Sequence, residues 1–480
     1  MSMKKFLNFF KNHSEVLIII WLFLMAFFLR IFHFTEFAAY HQDQVRDLIY
    51  IKNHFDAGSM ILLGPKASIG SFFLPPFWYY LMSIAFVFSK SPLAPAFMVI
   101  LFSSFTTVII YLFSRKFFGQ NVAFFSALLY AVSHMSIEHS RFAWNPNPIP
   151  FFVILTFYFL YEYLLKNKKN SFYFGIIVAN LSLQLHYQGF VVLAFFYLIL
   201  LFYKKIDVKQ FIYSILINII LVLPFIVYEI KNQFPNSQGI INFISSQSKN
   251  NLKYFGVPFF IKYIVREFSL FLSRTIVIKE RILGYLFLFG LGVSFILKSN
   301  DKKYSVLKIF LIFSIAMLFF YKNSLIDFYL LFLIPIIIIY FVITLNKYLP
   351  GKIALLIFCV IALVSVYTSP SFYGFDKTFL SVSQAVKLTT SRQNYCHVYK
   401  IFPETFIENK IKYLVSLEKN SPIKIGCEKI LSQRMCFPNV KTVYYLCEPA
   451  KCQNKFDLKI AKIINQDGLW AGVDIYQFDY

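Results

Sequence analysis

The segment Tyr40-His41-Gln42-Asp43-Gln44-Val45-Arg46-Asp47 gathers two carboxylates and a guanidinium close together in the chain. In a helix, Asp43, Arg46 and Asp47 share one face through their i, i+3 and i+4 spacing. The arginine can then hold one carboxylate and leave the other free to act as a base. A solvated ion pair on a surface helix fits the same spacing. Further on, Gly64-Pro65-Lys66 marks a turn that leads into Pro75-Pro76-Phe77-Trp78-Tyr79-Tyr80. The paired prolines suit the first positions of a helix. The aromatic residues suit the headgroup level of a bilayer, and Tyr79 and Tyr80 are also candidates for a substrate pocket.

Three more polar groups stand out. Ser140-Arg141-Phe142-Ala143-Trp144-Asn145-Pro146-Asn147-Pro148 sets a lone cation among Trp144, Asn145 and Asn147. The planar donor fork of an arginine suits a phosphate oxyanion, although arginines at membrane surfaces also snorkel to headgroups. Leu185-His186-Tyr187-Gln188-Gly189 and Asp327-Phe328-Tyr329 supply the rest. His186 in a tight turn reads as a structural hydrogen-bonder or as a phosphate partner. A carboxylate base with several cations suits deprotonation of a hydroxyl together with stabilisation of a departing anion. Asp43 would take the proton, and Arg141, with His186 or Lys66, would stabilise the departing charge. His41, Asp43, His139 and His186 keep a divalent metal open as a cofactor, yet no paired histidine spacing marks a preformed metal site, and none is assigned.

These groups sit between long apolar runs. The chain has 480 residues, 58% of them hydrophobic and only 15% charged, with 62 Phe and 32 Tyr. Soluble domains carry roughly 25% charge, so the composition predicts a polytopic membrane protein. A net charge of +24 raises nucleic acid as a partner, but the cations cluster between apolar runs, as cytoplasmic loops do. No nucleic-acid partner is expected. Spans of about 20 apolar residues are predicted near 16–34, 92–113, 120–137, 148–165, 171–186, 188–203, 210–228, 282–298, 304–320, 328–345 and 352–368. The run 75–88 is too short to cross and reads as re-entrant or juxtamembrane. With that assignment Arg115/Lys116, Lys166/Lys168/Lys169, Lys204/Lys205/Lys209, Lys298/Lys302/Lys303 and Lys347/Lys352 all fall on the cytoplasmic side. The N-terminus, behind a retained signal anchor, is expected inside, in the plasma membrane of the cell. Most acids before Pro370 then lie outside, and none lies mid-span, which argues against a proton-coupled carrier.

The expected architecture is therefore all-α over residues 1–370, with about eleven transmembrane helices and a first external loop at 35–91. A small extracytoplasmic α/β domain follows at 371–480. Its β-like runs are 395–401, 443–447 and 472–478, with a helical stretch near 404–418. Cys396, Cys427, Cys436, Cys447 and Cys452 in an external domain suggest one or two disulfides.

Taken together, these segments resemble the GT-C superfamily of polyprenyl-phosphate-dependent glycosyltransferases, in particular the protein O-mannosyltransferase and aminoarabinose-transferase group. The resemblance rests on Gln42 to Asp47, Gly64 to Tyr80, Ser140 to Asn147, Gln184-Leu185-His186 and Asp327 to Pro335. It implies a membrane enzyme that moves a sugar from a polyprenyl-phosphate donor to a lipid, glycan or protein hydroxyl at the outer face, by inverting displacement. The matching base position is Asp43, with Asp47 as fallback, and Arg46 joins Arg141, His186 and Lys66 as a donor-phosphate or carrier contact. Tyr79, Tyr80, Trp144, Asn145, Asn147, Tyr187, Gln188, Asp327 and Tyr329 would form the substrate pocket. Many relatives carry Asp-Glu where this chain has Asp43-Gln44. A transporter or flippase, or a polymerase or ligase using lipid-linked sugars through a long loop at 229–281, are the competing readings.

Overall fold

In lipid every backbone N–H and C=O must be satisfied within its own segment, so apolar runs resolve into helices. The computed structural model describes residues 14–38, 42–67, 72–203, 206–249, 265–318 and 327–372, together with the backbone of four strands beyond residue 396. The first third of the chain folds as α1 (Ser14–Ile31), α2 (Phe34–Phe37), α3 (Gln42–Asp56), α4 (Phe77–Phe88), α5 (Ala94–Phe117), α6 (Gln120–Val132) and α7 (His134–Glu138). Next come α8 (Ile149–Lys166), α9 (Lys169–Leu185), α10 (Gly189–Tyr203), α11 (Val208–Leu221), α12 (Leu223–Lys231) and α13 (Pro235–Lys249). The last group is α14 (Ser269–Ile276), α15 (Arg281–Ile296), α16 (Lys302–Leu318), α17 (Ile334–Tyr348) and α18 (Gly351–Tyr367). A 3₁₀ turn, Asp327–Leu333, runs directly into α17.

Among the described residues, four helical units are long and apolar enough to cross a bilayer: α1, α5, α8 and the 22-residue unit Asp327–Tyr348. A fifth arises if α11 and α12, bent by 64°, count as one span. Pro224 opens the second piece, and a proline there removes a helical hydrogen bond and bends the chain. α4, α6, α10, α15 and α18 are apolar but shorter. The run expected as a single span at 120–137 is interrupted instead: Ser133 is extended (φ −60°, ψ 126°) and separates α6 from α7. The 75–88 run becomes the 12-residue α4, with Pro76 at its N-cap.

The interruption at Ser133 leaves carbonyls without helical partners, and Arg30 takes them up. Its fully buried guanidinium donates to Tyr130 O and Ala131 O at 3.4 and 3.0 Å. It also donates to Ser103 Oγ at 2.8 Å and Ser136 Oγ at 2.9 Å. A cation at a helix C-terminus is favoured by the helix dipole. Arg30→Leu is expected to destabilise the chain by at least about 3 kcal/mol, because stranding buried acceptors costs roughly 1–3 kcal/mol each. Thermal unfolding in detergent measures this, and an unchanged midpoint would contradict it.

Beyond the helices, β1 (His397–Phe402) pairs parallel with β2 (Thr442–Cys447). Antiparallel pairs join β2 to β4 (Asp474–Asp479) and β4 to β3 (Lys462–Ile463), in the order β1-β2-β4-β3. The helix expected at 404–418 and the side chains of the five cysteines lie outside the described residues, as do residues 250–264 of the long 229–281 loop. Phe268, near the end of that loop, is fully buried.

Candidate functional site

The first loop is helical, and its charged triplet is wired by one arginine. Arg46 Nη1 donates to Asp43 Oδ1 at 2.8 Å, while Nη2 and Nε donate to Asp47 Oδ1 at 2.7 and 2.9 Å. The two carboxylates then part company. The Asp47 side chain is 1% exposed, whereas that of Asp43 is 45% exposed. Asp47 also accepts from Trp78 Nε1 at 3.1 Å and Tyr79 OH at 2.9 Å, so α4 is pinned to α3 through this one buried group. Val45, Leu48 and Ile51 pack into the core from the same helix.

Asp43 and Arg46 open onto a cavity of about 510 Å³. Lys66 lines the same cavity from a short ladder, in which Gly64 N donates to Leu74 O at 2.7 Å and Leu74 N to Pro65 O at 2.9 Å. A Cβ on Gly64 would stand 2.2 Å from Pro75 O, so only glycine permits this close pairing. Trp144, Asn145, His186, Tyr187 and Tyr329 complete the set of expected residues on the cavity wall. Phe72, Phe190, Ile240 and Phe243 make another part of the wall apolar. His186 is half-buried at the end of α9, against the rings of Phe328 and Tyr329. Desolvation lowers its pKa to about 4, so the imidazole is neutral at pH 7 and offers a hydrogen bond rather than a charge.

The other expected site residues lie off this wall. Tyr79 is bound to Asp47, and Tyr80 OH donates to Ile61 O at 2.7 Å. Asn147 Nδ2 donates to Phe142 O at 2.9 Å. The side-chain amide of Gln188 is enclosed without a hydrogen-bond partner among the described residues. Arg141, expected at the donor phosphate, is 3% exposed and donates to Leu29 O, Phe32 O and Pro370 O at 2.6, 3.2 and 3.3 Å. These acceptors place it at the C-terminal end of α1 rather than on the cavity wall.

Asp327 belongs to a neighbouring ionic cluster. Arg274 donates to Asp327 Oδ2 at 2.5 Å and to Glu138 Oε2 at 2.6 Å, and His139 Nε2 lies 4.0 Å from Asp327 Oδ1. Phe328 N donates to Asp327 Oδ1 at 2.9 Å, so this cluster anchors the turn that carries Phe328 and Tyr329 to the cavity.

Sequence reasoning missed the support behind the ladder. Glu229 accepts from Asn236 N, Asn236 Nδ2, Ser237 N and Ser237 Oγ at 3.1, 2.8, 2.9 and 2.7 Å, capping the start of α13. Asn236 Oδ1 in turn accepts from Phe73 N at 2.8 Å, and Tyr187 OH donates to Phe73 O at 2.7 Å. The run Pro235-Asn236-Ser237 is itself a helix-start signal. Among the described residues no group of three or more His, Cys, Asp or Glu gathers to hold a metal ion. The neighbours of Asp43 are cations, a donor set that does not fit one.

A family model described as dolichyl-phosphate-mannose-protein mannosyltransferase matches residues 74–228, from just before α4 into α12. An uncharacterized protein of Aquifex aeolicus (strain VF5) is 34% identical over 132 residues, which is 26% of this chain and 26% of that protein. The match thus spans about a quarter of that relative's length. Two crystal structures of ArnT from Cupriavidus metallidurans share the fold. The one bound to undecaprenyl phosphate has a TM-score of 0.56 at 12% identity, over 97% of this chain and 98% of that one. The apo structure has a TM-score of 0.58 at 13% identity over the same shares. The match over residues 74–228 and the shared fold make the chain similar to the mannosyltransferase and ArnT group of the GT-C glycosyltransferases, with several apolar helices suited to a multi-pass membrane protein.

Proposed function

We propose that this protein transfers a sugar from a polyprenyl-phosphate donor to an acceptor hydroxyl at the outer face of the plasma membrane, with the N-terminus inside. The observation that carries the reading is one cavity in which the half-exposed carboxylate of Asp43 stands beside Arg46 and Lys66 and opposite apolar walls. That combination suits a ligand with a charged phosphate and a hydrocarbon tail, the chemistry of the lipid in the ArnT crystal structure. The acceptor hydroxyl attacks the anomeric carbon as its proton passes to Asp43. The bond from that carbon to the phosphate oxygen breaks, and the electron pair leaves with the polyprenyl phosphate, whose charge Arg46 and Lys66 stabilise. Neutral His186 and Asn145 orient the sugar through hydrogen bonds. A single displacement of this kind inverts the anomeric configuration. The strands beyond residue 396 belong, in this reading, to an extracytoplasmic domain at 371–480 on the acceptor side.

The test is transfer in proteoliposomes supplied with a pool of polyprenyl-phosphate sugars and with lipid, glycan and peptide acceptors. Loss of sugar from the donor, with inversion in the product, is expected. Transfer with retained configuration would overturn the single displacement. Passage of intact lipid between leaflets without sugar loss would favour a flippase.

A further inference from the structure

A second hollow, of about 300 Å³, lies away from the cavity, between α14, α15, α17 and α18. Its walls are almost wholly apolar, with Leu286, Phe287 and Leu291 on α15 facing Ile337 and Phe341 on α17. Gly290 lines it midway along α15, and a Cβ there would meet nothing within 4 Å, so a larger side chain has room to enter the space. Leu286 to Ser294 and Ile337 to Leu345 each cover two helical turns or slightly more, so the hollow runs roughly 12 Å along the helices at 1.5 Å per residue.

The chemistry changes at one end. Ser294 Oγ lies 3.1 Å from Tyr340 OH, and Tyr304 OH donates to Tyr340 OH at 2.7 Å and stands 3.2 Å from Thr344 Oγ1. One turn beyond Thr344, the Lys347 ammonium lies 4.9 Å from the centre of the Tyr304 ring and donates to Ser299 Oγ at 2.7 Å. Lys308 reaches the same end, donating to Leu297 O at 3.0 Å. Neither lysine forms an ion pair among the described residues. Apolar walls, then hydroxyls, then ammonium groups complement a glycerophospholipid read from acyl chain through ester carbonyls to phosphate. A bilayer supplies such a molecule, and its acyl chain fills the hollow where water gains no hydrogen bonds. Basic groups at that depth attract anionic headgroups.

We propose that this hollow is a binding site for one acyl chain of an anionic glycerophospholipid whose phosphate rests on Lys308 and Lys347. The site is separate from the cavity of Asp43 and does not depend on the transfer reaction. Native mass spectrometry of the full chain, titrated with phosphatidylglycerol and phosphatidylcholine, tests it. One phosphatidylglycerol is expected to stay bound about tenfold more tightly than phosphatidylcholine. The pair Lys308→Ala and Lys347→Ala is expected to erase that preference without moving the thermal midpoint. Gly290→Leu, which fills the apolar end, is expected to weaken both lipids. Equal binding of the two lipids to wild type would overturn the headgroup contact. Unchanged binding in Gly290→Leu would overturn the chain position. Displacement of phosphatidylglycerol by equimolar polyprenyl phosphate would make the occupant a carrier lipid and overturn the proposal.

Discussion

Asp43→Asn is expected to lower sugar transfer by about 10²–10⁴-fold, the usual contribution of a positioned general base, while donor-lipid binding and the thermal midpoint stay as in wild type. The separation of effects follows from the structure. The Asp43 side chain is 45% exposed and accepts a hydrogen bond from Arg46 Nη1. An asparagine oxygen still accepts that bond, more weakly without the charge, and Asp47 continues to hold Arg46, so the helix and the arginine keep their places. The ability to take a proton is lost. Turnover of donor lipid in proteoliposomes, measured beside binding of the uncleaved donor, reads both quantities. Equal turnover in the two proteins would remove Asp43 from the chemistry.

Asp47→Ala is expected to act the other way round, through the fold. Its carboxylate gathers Arg46, Trp78 and Tyr79 at a site almost closed to solvent. Removing it leaves a guanidinium, an indole N–H and a phenol without their common acceptor. Arg46, 40% exposed, regains water, so the cost falls on the buried Trp78 N–H and Tyr79 O–H, at about 1–3 kcal/mol each, a large share of the stability of most proteins. The thermal midpoint should fall clearly, and phosphate affinity with it as Arg46 loses its anchor. Asp47→Asn should fall less, because the amide oxygen still accepts. A midpoint within 1 °C of wild type in Asp47→Ala would show that α4 is held to α3 by packing alone.

Local spacing made much of this site legible. The i, i+3, i+4 arrangement of Asp43, Arg46 and Asp47 sufficed to join them, and Gly64-Pro65 sufficed for the turn that presents Lys66. Spacing was silent on which carboxylate is buried, because that depends on Trp78 and Tyr79 arriving from another helix. Arg141 shows the limit more sharply. Alone in a polar loop it resembles a phosphate ligand, yet its acceptors come from residues 29, 32 and 370, and no local pattern announces a partner 229 positions away. Asp327 was placed in the pocket by its neighbours Phe328 and Tyr329, whereas its own partner, Arg274, is 53 residues earlier. The bilayer signal behaved similarly. Hydropathy located the apolar runs, but the breaks at Ser133 and Val222 depend on what the freed carbonyls can find.

The Arg30 contacts also bear on how the chain is made. The guanidinium ends the first helix and, apart from Ala26 O on that helix, its acceptors lie between 73 and 106 residues downstream. At 5–20 residues per second, a ribosome needs roughly 5–20 s to deliver the last of them. During that interval the guanidinium has only that one carbonyl as a partner, and a long side chain at a helix end reaches water. Full burial of Arg30 is therefore expected only once α5, α6 and α7 have emerged.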